Sequence, residues 1–153
     1  MALKENILSK VSQIDSYDWL TKNMIDICFT NLKKSLVEPN LEFEMELGND
    51  VDGNKKYYKY VSNSYGVINI YGRIDAIDNK NIWEFKCTKE IETEHLLQIV
   101  VYAWIWKRCM AQIHGNRFFK IINITTGEVR ELNTTSNLID EIMNILFQNK
   151  YNK

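Results

Sequence analysis

The order of signals along the chain predicts an α+β fold, with helices flanking a central mixed sheet. Three observations carry that prediction. A helical stripe opens the chain, a run of strands without an intervening helix fills residues 41–87, and a long amphipathic helix then leads into a strand pair and a last helix. No repeat and no linker divides the 153 residues, so one domain spans 1–153.

Each element has a local reason. Tyr17, Leu20, Met24, Ile27 and Leu32 recur at spacings of three to five, which makes a helix over residues 16–36 with Ser16 as its N-cap. Pro39, the only proline, stops it. The segment LEFEMEL, 41–47, alternates: Leu41, Phe43, Met45 and Leu47 share one face and Glu42, Glu44 and Glu46 the other. Asn49 to Gly53 form a loop before a strand near 56–61, and VINIYGRIDA, 67–76, reads as a third strand. Asp78, Asn79 and Lys80 turn the chain into a fourth, NIWEFKC, 81–87. The next helix covers about 94–113, with Thr93 as N-cap, Leu97, Val100, Val101, Trp104 and Cys109 on its packing face, and Gly115 at its end. Trp104 falls on the core side and Trp106 on the opposite side. Residues 117–124 and 128–132 pair around Thr126-Gly127, and Ser136 caps a helix through Phe147.

Composition excludes several classes. Apolar residues make up 45% and charged residues 25%, which is ordinary for a folded protein and unlike a disordered one. No run approaches the roughly 18 apolar residues of a membrane span. Lysine and arginine number 19 against 20 acidic residues, so bulk charge does not hold a nucleic acid. Cys28, Cys87 and Cys109 lie far apart without a CxxC pair, which argues against a zinc site. The odd cysteine count and a first segment, MALKENILSK, without a signal-peptide core favour an intracellular, cytoplasmic or nuclear setting over secretion.

The chemistry concentrates in residues 72–102. Period-2 geometry puts Glu84 and Lys86 on one strand face, and a short hairpin brings Asp75 beside Glu84. Two carboxylates and a lysine at a strand end are costly to desolvate unless a cation helps. A hard divalent ion, Mg²⁺ or Mn²⁺, suits them, with the Phe85 backbone carbonyl as a further ligand. Lys86 suits holding or deprotonating an attacking water. Gln98 and Tyr102, at i and i+4, share a helix face, with His95 one turn earlier.

The ordered set Gly72-x-x-Asp75, Glu84-x-Lys86 and Gln98-x-x-x-Tyr102 resembles the PD-(D/E)XK nuclease superfamily, and within it the RecB-like branch of helicase-associated nuclease domains. The motifs cover about 31 residues, and the element order extends the likeness over most of the chain. The resemblance implies a restriction-endonuclease-like αβββαβ core and a Mg²⁺- or Mn²⁺-dependent hydrolase of nucleic-acid phosphodiesters, DNA ahead of RNA. It makes Asp75 and Glu84 metal ligands and Lys86 the catalytic lysine. Gln98 and Tyr102 match the helix motif of the branch. His95, Gln98, Tyr102 and Arg73 fall on the substrate side. An upstream acidic ligand is expected from the first helix or strand; Glu44 is the choice, with Glu42 and Glu46 as competitors. Both histidines, His95 and His114, lie downstream of Asp75, so the histidine ligand of some members has no counterpart. Three cysteines cannot supply the four of an iron–sulfur cluster.

Small size and near-neutral charge suggest a helicase or a replication, repair or recombination partner. Two other classes stay open: a non-catalytic nucleic-acid-binding or assembly domain of the same fold, and an RNA endonuclease of the cap-snatching type. Tyr57, Tyr58, Tyr60, Tyr65 and Tyr71, interleaved with Lys55, Lys56 and Lys59, read as an amphipathic strand with snorkelling lysines ahead of a base-stacking surface.

Overall fold

The computed structural model describes residues 21–133 and 135–152. Ser16, Tyr17 and Leu20 of the expected first helix lie outside them. Within them α1 spans Lys22–Ser35, with the Thr21 side chain accepting from the Met24 N–H at 3.2 Å. The strands β1 (Glu42–Leu47), β2 (Asp50–Asp52), β3 (Lys55–Ser62), β4 (Gly66–Ile70), β5 (Gly72–Ile77) and β6 (Asn81–Lys86) follow. Then come α2 (Thr93–Ile105), a π-helical turn (Trp106–Met110), a short α3 (Ala111–His114), β7 (Phe118–Asn123), β8 (Val129–Glu131) and α4 (Ser136–Tyr151).

The fold is α+β. A five-stranded mixed sheet runs in the order β1-β5-β6-β7-β8, antiparallel except for the parallel pair β6 and β7. A parallel pair needs a crossover, and the α2 segment supplies it. A smaller antiparallel sheet, β2-β3-β4, is separate in its pairing but packs into the same core through Tyr58 and Ile68. The larger core joins Ile74, Ile82 and Ile121 of the sheet to Ile99, Ala103 and Trp104 of α2 and to Ile139, Met143 and Phe147 of α4. A second cluster, Ala76, Trp83 and Ile122, packs against Leu32 and Leu36. That assigns α2 and α4 to one face and α1 to the other. Among the described residues no helix is long and apolar enough to cross a membrane.

Several expectations need correction. The loop expected over 49–53 contains a short strand, β2, which pairs with β3. The single strand 67–76 is two strands in different sheets, broken at Tyr71: β4 pairs with β3 while β5 pairs with β1. Gly72 makes the passage possible, because a Cβ there would already stand 3.3 Å from both Leu47 and Tyr102. The alternation of 41–47 fails at Glu44, whose φ of 58° lies in the left-handed region, and Phe43 is left 58% exposed. The helix of 94–113 is interrupted by the π-helical turn, so Trp104 and Trp106 are both buried. Its indoles reach different partners, the Asp140 carboxylate and the Gly115 carbonyl. Glu92, not Thr93, caps α2, and Thr135, not Ser136, caps α4.

The turn at 78–81 is held by one buried carboxylate. Asp78 accepts from the Lys80 N–H at 2.7 Å, the Asn81 N–H at 2.7 Å, the Asn81 amide at 3.0 and 3.1 Å, and the Trp83 indole at 2.9 Å. The turn fixes the β5–β6 register, Ala76 with Trp83 and Ile77 with Ile82.

Candidate active site

Extending that register by one step sets Asp75 opposite Glu84. The ladder has ended there. The Phe85 N–H faces β5 but meets the Asp75 carboxylate, Oδ2 accepting at 2.7 Å. An antiparallel ladder turns the N–H and C=O of a residue toward the same neighbour, so the Phe85 carbonyl faces the same opening. On the other side of Asp75, the β1–β5 register sets Glu44 opposite it, and Glu44 is the residue with inverted backbone.

Glu84 is 3% exposed. Its Oε1 accepts from Lys86 Nζ at 2.8 Å, and its Oε2 is buried without a hydrogen-bond partner. Burial pushes its carboxyl above the usual range, and the charge of Asp75 adds to that. Lys86 and Gln98 oppose it without cancelling it. Lys86 Nζ also donates to Gln98 Oε1 at 2.7 Å. Gln98 Nε2 donates to the Tyr102 hydroxyl at 2.6 Å, and that hydroxyl donates to the Arg73 carbonyl at 2.9 Å. A relay of hydrogen bonds therefore runs from the β5 backbone through two α2 side chains to the ammonium of Lys86. Its geometry follows from the i, i+4 spacing on α2. Burial raises the Tyr102 hydroxyl above its ordinary value, so it stays a donor.

A cleft of about 760 Å³ is lined by Asp75, Glu84, Gln98 and Tyr102, with Glu46, Gly72 and Arg73 from β1 and β5; Lys86 is tied to this lining through Glu84 and Gln98 without itself being part of it. Asp52, Lys55, Lys56 and Tyr71 form a wall contributed by β2, β3 and the β4–β5 break. The wall is folded over by Gly48, where a Cβ would lie 2.0 Å from the Tyr57 carbonyl oxygen; its φ of 145° also suits glycine.

Asp75, Glu84, Lys86, Gln98 and Tyr102 are thus brought together. Tyr102 is 7% exposed, so its hydroxyl braces Gln98 instead of standing free in the cleft. Arg73 lines the cleft and pairs with Glu44 at 2.9 Å, both well exposed. Glu44 is not part of the lining. Glu46 is, with Oε2 accepting from the Lys56 N–H at 3.0 Å. His95 has a helix-capping job: its Nδ1 accepts from the Glu92 N–H at 3.0 Å. Lys55, Lys56 and Tyr71 of that wall belong to the Lys/Tyr run over 55–71 that the sequence reads as an amphipathic strand ahead of a base-stacking surface; Asp52 carries no such signal.

Among the described residues no three His, Cys, Asp or Glu side chains gather into a metal-binding group. The donors that converge are two carboxylates, Asp75 and Glu84, and the backbone around Phe85. Comparison with protein-family models, with curated proteins and with solved structures finds no match to this chain.

Proposed function

We propose that this chain is a metal-dependent nuclease with a restriction-endonuclease-like core, hydrolysing nucleic-acid phosphodiester bonds, DNA in preference to RNA. One observation carries the reading: Glu84 Oε2 is buried beside Asp75 with no hydrogen-bond partner, while Oε1 is taken by Lys86. An orphaned carboxylate oxygen is destabilising in a folded protein and asks for a cation. The element order, three antiparallel strands followed by a helical crossover to a parallel strand, also supports it. So does the all-oxygen chemistry of the donors, which fits Mg²⁺ or Mn²⁺.

Asp75, Glu84 and the Phe85 carbonyl would hold the ion, with Glu46 better placed than Glu44 as a third carboxylate. When bound, such an ion acidifies water and stabilises negative charge on a phosphoryl group. The protein's own contribution is orientation. Lys86 is fixed by Glu84 and Gln98 with an N–H left to hold a water or a phosphate oxygen. Tyr102 and the Arg73 carbonyl keep Gln98 in the orientation that presents Oε1 to Lys86. Because the cleft sets Glu46, Asp52, Asp75 and Glu84 against Lys55, Lys56 and Arg73 and the whole chain is close to neutral, tight binding calls for a partner, such as a helicase or a replication or recombination assembly.

The test is cleavage of end-labelled single-stranded DNA, duplex DNA and RNA with Mg²⁺, Mn²⁺ or a chelator, beside Glu84→Ala and Lys86→Ala. Metal-dependent cutting abolished by both substitutions is expected. Equal cutting by the variants would sink the assignment. Absence of cutting by a folded protein, with no Mn²⁺ bound, would favour a non-catalytic binding or assembly domain.

A further inference from the structure

The five tyrosines of residues 57–71 have separate fates. Tyr58 and Tyr60 pack on Trp104, at ring distances of 5.4 and 5.0 Å. Tyr65 stacks on Tyr151 at 5.4 Å. Tyr71 is different: it is 53% exposed, it lines the cleft, and its ring is backed by Tyr57 at 5.4 Å. The two rings meet at a tilt of 43°, a contact that restrains the half-exposed Tyr71 ring on the cleft wall. Lys55, on the same wall, is exposed and makes no ion pair among the described residues, whereas Arg73 is already paired with Glu44.

We infer that Tyr71 is a base-stacking platform and Lys55 a phosphate contact, and that together they select single-stranded DNA for this cleft. The inference rests on the nuclease reading for its ligand class. In a duplex each base face is covered by its neighbours, so a ring on the cleft wall gains nothing unless a base is first unstacked. A single strand offers free faces and bends readily. It can also bring a phosphate down to Glu84, which a wide rigid helix outside the cleft cannot do as easily. Stacking tolerates any base, because every base has a π-face, so little sequence preference follows. Tyr71 sits where β4 leaves the small sheet and β5 enters the large one, which ties the platform to the strand that carries Asp75.

Fluorescence anisotropy of a short labelled mixed-sequence DNA, alone and annealed to its complement, tests this in chelator. The single strand is expected to bind more tightly than the duplex. Tyr71→Ala should weaken single-strand binding by about tenfold or more, and Tyr71→Phe should restore it, because the ring and not the hydroxyl does the stacking. An abasic nucleotide in the strand should weaken wild type and add little to Tyr71→Ala. Lys55→Ala should lower the salt slope by about 0.7, one phosphate contact on a single strand. The inference is overturned if Tyr71→Ala, folded by circular dichroism, binds like wild type. It is equally overturned if duplex binds as well as single strand, or if only RNA binds. Cleavage plays no part in this readout. A failed nuclease assignment would leave strand binding through Tyr71 intact, and a failed platform would leave metal-dependent cutting intact.

Discussion

Asp78 lies outside the cleft, yet it should control it. Its carboxylate accepts five hydrogen bonds and is 3% exposed. Asp78→Ala leaves the exposed Lys80 N–H to water, but it strands the Asn81 N–H, the Asn81 amide and the Trp83 indole, in residues only 5% and 3% exposed. At about 1–2 kcal/mol for each of the three orphaned buried donors, the loss comes to roughly 3–6 kcal/mol. For a domain of this size that is a drop in Tm of about 10–20 °C. Urea unfolding followed by tryptophan fluorescence measures it, with Asp78→Asn as the milder variant that keeps one acceptor oxygen. Burial alone would push the Asp78 carboxyl up; the donors from Trp83, Lys80 and Asn81 outweigh it and hold the group below its ordinary 3.8. A lowered folded-state value stabilises the fold above the unfolded-state value, and that contribution disappears as pH falls through the folded one. The gap between wild type and Asp78→Asn should therefore be full at neutral pH and shrink below about pH 3.8. Because this turn sets Asp75 against Glu84, Asp78→Asn should also cut more slowly at temperatures where it remains folded. A loss under about 1 kcal/mol for Asp78→Ala would refute the reasoning, since it would mean that the orphaned donors find other partners.

Three further outcomes follow from the site. Mn²⁺ at a hundredfold excess over its Kd should stabilise wild type by about 2.7 kcal/mol, a rise in Tm of about 5–10 °C, and should leave Glu84→Gln unmoved in differential scanning fluorimetry. Gly48→Ala places a methyl 2.0 Å from the Tyr57 carbonyl oxygen. It should cost about 2–4 kcal/mol and displace the wall that carries Lys55 and Tyr71, read as lost stability in denaturant melts and weakened strand binding. Tyr102→Phe keeps the ring against Gly72 but removes the hydroxyl between Gln98 and Arg73. Cutting should fall about tenfold, the equivalent of roughly 1.4 kcal/mol, with little change in substrate KM. An unchanged rate would mean that Gln98 needs no brace.

The hairpin from Gly72 to Lys86 and the helix after it were legible because two periodicities and one turn agree there. Alternation places Glu84 and Lys86 together, Asp78-Asn79-Lys80 turns the chain, and Gln98 and Tyr102 sit one helical turn apart. What stayed hidden depends on contacts between distant segments. Nothing local in VINIYGRIDA says that the chain changes sheets at Tyr71; that follows from β3 claiming one half and β1 the other. The choice among Glu42, Glu44 and Glu46 assumed unbroken alternation, and the left-handed backbone at Glu44 removes that assumption. His95 looked like a group facing substrate because a histidine near a lysine and carboxylates invites that reading. Its use as the reciprocal partner in the cap of α2 needs Glu92 in an extended conformation, which composition does not reveal.

The lone oxygen of Glu84 has a consequence on a longer timescale. Its burial without a partner works against the fold, so it is a position that drift should erode wherever nothing requires it. Lineages that kept this domain only as a docking module would gain stability by exchanging Glu84 for an apolar residue of similar size and releasing Lys86 to solvent. On the nuclease reading, an acidic residue there would mark selection for chemistry, and its replacement would date the retirement of an enzyme into a scaffold.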